Sequence, residues 1–294
     1  MPASRLAWLG QRPAGGHGRR RQLQASGVNR IDQALAQLDA PSRGQRWRHV
    51  TIVITLLAFY ALCWRLADID LARLASGLPK MGRWIASAWP PVWAELPTFL
   101  LRTAETVAMA ALGTTAAVLL ALPMAVLAAR NITPWPRAVG PARLLLNTLR
   151  GIDAFVFALL FVAAVGLGPF AGVLGIALHT WGSAAKNFAD AIENLSLEPF
   201  EAVRSTGASR GTALVYAVLP DVLPVLLSSA LFWWEFNVRA STVLGVVGAG
   251  GIGQELKSSM DLLDFPRLFT IIVVIVLVVT LIDRFSGWLR SRLT

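Results

Sequence analysis

Long apolar runs alternate with short charged or glycine-containing stretches along most of the chain. Six of these runs approach the roughly 20 residues that a helix needs to cross a hydrocarbon core about 30 Å thick. They cover residues 49–67, 99–129, 144–166, 170–189, 219–245 and 268–288. The pattern predicts an all-α polytopic membrane protein with six transmembrane helices. The second run is longer than a straight crossing requires and contains Gly113 and Pro123, which predicts tilt or a kink. The third ends at Gly166-Leu167-Gly168-Pro169, a tight-turn sequence.

Three regions follow from this layout. Residues 1–48 form an Arg-rich cytoplasmic tail, in which Ile31, Leu35 and Leu38 recur at helical spacing. An amphipathic helix over Asn29–Asp39 is expected there. No apolar core of the kind a cleaved signal peptide needs lies near its start. Residues 49–97 hold the first span and an outside loop, where Trp84, Trp89 and Trp93 read as an interfacial aromatic belt. Residues 98–294 form a core of five spans with a polar loop at 190–220.

Composition strengthens the membrane reading. The chain is 55% hydrophobic and 15% charged, against roughly 25% charged residues in soluble domains. The net charge of +10 does not point to nucleic acid, because many arginines flank apolar runs instead of sharing a soluble face. The single cysteine, Cys63, forms no disulfide within the chain, and His17, His49 and His179 lack metal-ligand spacing. No metal or cofactor is expected. No Gly-Lys pair occurs, so no Walker A loop is present and ATP, if used, is bound by another polypeptide.

Basic residues also orient the chain. Arg130, Arg137 and Arg143 follow the second run, Lys186, Arg204 and Arg210 the fourth, and Arg284, Arg290 and Arg292 close the chain. With the tail, these segments share one side, so both termini and the loop 190–220 are expected in the cytoplasm. Arg73, Lys80 and Arg83 in the first outside loop are the weakest point of that count.

The stretch Glu201–Pro220, EAVRSTGASRGTALVYAVLP, lies between two apolar runs yet carries charge, Gly and Thr. Glu198 and Glu201 suit a helix N-terminus, where the dipole favours anions, and Pro199 suits a first turn. Gly207 can end that turn. Pro220 suits the first turn of the fifth span for the same reason as Pro199. Glu201-Ala202-Val203, three residues, Gly207, nine residues, Ala217, one residue, then Leu219-Pro220 resembles the coupling motif of ABC importer permeases. Val203 and Ala217 depart from its usual Ala and Ile but stay apolar. The resemblance implies a coupling helix that sits in a groove of an ATPase subunit. It implies that role for Glu201, Ala202, Val203, Gly207, Leu219 and Pro220.

A second polar interruption, VLGVVGAGGIGQEL over Val243–Leu256, satisfies G-x-G-x-x-G with Gly248, Gly250 and Gly253. A dinucleotide site would need a preceding strand and a βαβ unit, whereas apolar spans flank this run. It reads as a tight glycine turn. With Phe157–Thr180 and Glu201–Ser209, it resembles the phosphonate and phosphite uptake permeases, over roughly residues 98–293. That resemblance implies the type I ABC importer permease fold of methionine and maltose permeases. It also implies two ATPase subunits, a substrate-binding protein outside, and a second permease copy as homodimer or close homologue, with membrane lipid around the spans. The implied cargo is phosphonate, phosphite or a related phosphorus oxyanion. Permeases for methionine or a quaternary amine, and an ion-coupled secondary transporter, are the alternatives.

Ionisable groups inside apolar runs are functional candidates. Arg102 with Glu105, and Glu235 with Arg239, stand at spacings that allow each pair to neutralise itself. Glu235, Asn237 and Arg239 are the candidates for lining a translocation path. Asp153 reads as structural.

Overall fold

The computed structural model describes residues 43–292. The Arg-rich stretch before Arg43, with the helix expected over Asn29–Asp39, lies outside the described residues. Among the described residues every regular element is helical. The chain divides into two compact units, the first ending at Gly77 and the second beginning at Leu78.

Helix α1 (Arg43–Leu66) belongs to the first unit and leaves its apolar side chains, Ile54 and Leu57 among them, exposed. Helix α2 (Leu71–Ser87) follows where a connection was expected. The missed signal was apolar periodicity: Leu71, Leu74, Leu78, Met81 and Ile85 recur at three- and four-residue steps. Asp70 starts this helix by accepting the backbone N–H groups of Ala72 (2.8 Å) and Arg73 (3.0 Å).

The second unit is organised around α3 (Leu96–Ala128), which at 1.5 Å per residue is about 50 Å long. It runs unbroken past Gly113 and Pro123. One face supplies Phe99 to an apolar cluster at one end, Ala110 to a second, and Ala121, Ala125 and Ala128 to the largest cluster at the other end. Helix α6 (Pro169–Glu193) packs along it, and Gly113 permits the closest approach. A Cβ at Gly113 would lie 2.7 Å from Ile176 Cγ2. Small residues let membrane helices meet this closely.

The expected third span, 144–166, is not one helix. It divides into α4 (Val139–Gly151) and α5 (Ala154–Val165), bent by 86°. Ile152 is extended, and Asp153 caps α5 by accepting the N–H of Phe155 at 2.8 Å. His179 Nδ1 donates to the freed Ile152 carbonyl at 2.8 Å. Backbone groups on both sides of the break therefore have hydrogen-bond partners.

The chain continues through α7 (Glu198–Ser205), α8 (Arg210–Ala213), a π-turn at Leu214–Val218, and α9 (Leu219–Leu244). A second π-turn at Gly245–Ala249 leads to α10 (Ile252–Asp261) and α11 (Phe265–Arg290). By length and composition four helical runs suffice to cross a membrane: Trp47–Leu66, Leu96–Ala128, Arg210–Ala249 and Phe265–Arg290. The bent α4–α5 pair makes a fifth. The remaining expected span, the fourth at 170–189, corresponds to α6, whose run carries Thr180, Ser183, Lys186 and Asp190. Much of α6 is buried against protein, where Thr180 meets Asn237 of α9, while Lys186 and Asp190 pair with each other along the helix.

Candidate functional site

The polar stretch singled out in the sequence folds as two short helices that join α9. Helix α7 opens with Pro199 in its first turn and carries Glu198 and Glu201 there, with Arg204 in its last turn. Each charge complements the helix dipole, worth about 0.3–1 kcal/mol apiece. Thr206 ends the helix, and Gly207 follows with φ +86° and its N–H on the Arg204 carbonyl at 3.1 Å. Residues with a side chain rarely adopt this left-handed conformation, which explains the glycine. Ser209 then caps α8 by accepting the N–H of Thr212 at 3.1 Å.

One face of α7 is anchored and the other is open. Leu197 and Phe200 pack against the Ala-rich cluster to which α3, α4, α6 and α9 contribute, with Leu195 and Leu214 beside them. Glu201, Ala202, Arg204, Ser205 and Gly207 are exposed, and Val203 is half-buried. Leu219 and Pro220, at the other end of the motif, are exposed, whereas Ala217 is buried. Pro220 stands in the first turn of α9, as its place in the sequence suggested, although the helical run is continuous from Arg210 to Ala249. Proline lacks the N–H an α-helix needs, and the π-turn at Leu214–Val218 directly before it adjusts the hydrogen-bond ladder.

Behind α7 lies a clamp that sequence reading missed. The Glu193 carboxylate accepts the Arg130 backbone N–H at 2.6 Å and Arg143 Nη2 at 2.5 Å. Burial pushes this carboxyl up, but the Arg130 N–H and the Arg143 guanidinium outweigh burial and hold it below the usual glutamate range. Its partners stand 63 and 50 residues away, so no local spacing could have revealed it.

The three residues proposed for a translocation path are not brought together. Asn237 is fully buried, where its Nδ2 donates to Thr114 Oγ1 (2.8 Å) and Thr180 Oγ1 (2.9 Å). It joins α3, α6 and α9. Glu235 and Arg239 point away from it and bond each other, with Arg239 3.7 Å from Asp283 and Arg290 3.6 Å from Glu235. An offset of two residues turns a helix by about 200°, which separates the two sets.

Arg102 and Glu105 pair at 3.0 Å, as their spacing allowed. They are also part of a longer chain of charges. Arg102 lies 3.4 Å from Glu255, Glu255 pairs with Arg267 at 2.7 Å, and Arg267 with Glu95 at 2.9 Å. This network links α3, α10 and the start of α11. The glycine run lies beside it. Gly248, Gly250 and Gly251 all have positive φ, the Gly248 carbonyl accepts the Gly168 N–H at 2.9 Å, and Thr106 Oγ1 accepts the Ile252 N–H at 2.9 Å. The run is a buried turn between helices, with no strand beside it among the described residues. Nor, among those residues, could any cluster of His, Cys, Asp and Glu hold a metal.

Comparison with known proteins places this arrangement. The family described as "Binding-protein-dependent transport system inner membrane component" matches residues 98–294. The phosphite transport system permease protein PtxC of Stutzerimonas stutzeri is 41% identical over 247 residues, covering 84% of this chain and 90% of that one. The phosphate-import permease protein PhnE of Mycolicibacterium smegmatis is 44% identical over 190 residues, 65% of this chain and 36% of that one. An inward-facing structure of the MetNI methionine ABC transporter superposes with a TM-score of 0.60 at 21% identity, covering 69% of this chain and 99% of that one. At that identity the likeness is one of fold.

Proposed function

The chain belongs to the family of binding-protein-dependent transport system inner membrane components, and we propose that it is the membrane-spanning subunit of an ATP-driven importer for phosphite or a related phosphorus oxyanion. It is a permease of this family; ATP hydrolysis belongs to a separate pair of ATPase subunits, and cargo arrives on a substrate-binding protein outside. A second copy of the chain, or a close homologue, completes the path. Both termini and the loop holding α7 face the cytoplasm.

One observation carries the coupling role: α7 is fixed on one face by Leu197 and Phe200 and presents Glu201, Ala202 and Arg204 outward. A surface of that kind can receive force without unfolding. Such a permease needs no catalytic residue, only two states of similar stability that a partner can bias. The phosphite cargo is supported by the 41% identity to a phosphite permease over 84% of the chain. The relative named for phosphate import keeps phosphate in the same chemical class, and phosphonate completes it. Cargo choice belongs mostly to the binding protein, because a strong anion site in the path would slow release.

Reversing Glu201→Lys tests the coupling role. Loss of both ATPase co-purification and ATP-dependent uptake is expected; normal values for both would refute it. Thermal stabilisation of the partner binding protein by phosphite, phosphonate, phosphate or methionine identifies the cargo.

A further inference from the structure

Glu193 closes α6, and only residues 194–197 separate it from α7. From there one carboxylate oxygen reaches two further elements. Oε1 accepts the backbone N–H of Arg130, just past the end of α3, and Nη2 of Arg143 on α4. Arg143 also donates its Nε to the Ala128 carbonyl at 3.0 Å, and Asn131 Nδ2 donates to the Ile192 carbonyl at 3.0 Å. The ends of α3, α4 and α6 are thus joined by four polar contacts centred on one ion pair. The Arg143 and Glu193 side chains are 17% and 24% exposed, so water screens the pair only in part.

The apolar packing beneath these contacts sets alanines, Ala125, Ala128, Ala184 and Ala189, beside the larger Leu146 and Phe188. Apolar burial is non-directional. Charge-assisted hydrogen bonds fix distance and direction. We infer that Glu193 is a positioning residue that passes movement of α7 to α3 and α4, by holding the base of the coupling segment to Arg130 and Arg143. The inference rests on reading α7 as the ATPase contact. Glu193 precedes α7 in the chain, is half-buried, and is not one of the motif residues read as the contact.

Glu193→Gln separates the two bonds chemically. The amide oxygen still accepts the Arg130 N–H, but the ion pair with Arg143 is lost. The assay uses the complete transporter in proteoliposomes with its ATPase and binding protein, reading cargo imported per ATP hydrolysed. In Glu193→Gln and in Arg143→Gln that ratio should fall about tenfold, equivalent to about 1.4 kcal/mol, with ATPase co-purification unchanged. The double variant should lose no more than either single one, since both break one interaction. Import and hydrolysis falling in proportion, an unchanged ratio, or additive losses would each overturn the inference. If Glu193→Gln does not assemble, Arg143→Gln, which breaks the same ion pair from the other side, is read alone, and an unaltered ratio there overturns the inference equally. Failure of the reading of α7 shows differently, as a Glu201→Lys transporter that still retains and uses its ATPase.

Discussion

Two glycine-bearing interruptions of the helical run, Glu201–Pro220 and Val243–Leu256, solve opposite problems. At Gly207 the backbone needs φ +86°, yet a Cβ there would meet nothing within 4 Å. The glycine is conformational, and the surface around it is open. In the second run a Cβ at Gly253 would lie 1.9 Å from the Thr242 carbonyl oxygen, and one at Gly251 would lie 2.3 Å from Thr106 Oγ1. Gly253 is there for close approach, Gly251 (φ +71°) for close approach as well as conformation, and α9, α10 and α3 fill the space. A docking surface must stay exposed while its backbone is held; an internal joint must be closed on every side. Both runs read as polar breaks in sequence, and only packing distinguishes them.

The contrast can be broken most strongly at Gly253. Gly253→Ala places a methyl against backbone that cannot retreat, so thermal unfolding of the purified protein should show a loss of about 3 kcal/mol or more, near the upper range for overpacking. Gly207→Ala should cost less, about 1–2 kcal/mol from the left-handed conformation alone, with no steric term. The same unfolding experiment orders the two. Equal losses at both positions would remove the distinction.

Much of α7 was legible because its signals are local. Pro199 in the first turn, the acidic residues beside it and Gly207 after its end are each properties of a few consecutive residues. The bend at Ile152–Asp153 carried a local signal too, Asp153 as a helix cap, but the apolar run 144–166 concealed it. Asn237 illustrates the limit. Its place inside an apolar helix suggested a path, whereas Thr114 and Thr180, far away in sequence, satisfy it in the core. The same holds for Arg102 and Glu105, whose local pairing was readable but whose extension through Glu255 and Arg267 to Glu95 was not. Polar groups in a membrane protein are read correctly only with their partners in view.

The outward face of α7 is the most direct place to test a coupling role. Cys63 is the only cysteine, so Cys63→Ser gives a background in which Ala202→Cys is a unique probe. In the complete transporter a maleimide-linked benzophenone attached to that cysteine should, on irradiation, insert into a C–H bond of the ATPase subunit and join the two. Blocking reagent added from the cytoplasmic side should prevent the reaction. A cysteine that labels freely yet never joins the ATPase, or that is reached only from the outside, would contradict a cytoplasmic docking role for α7.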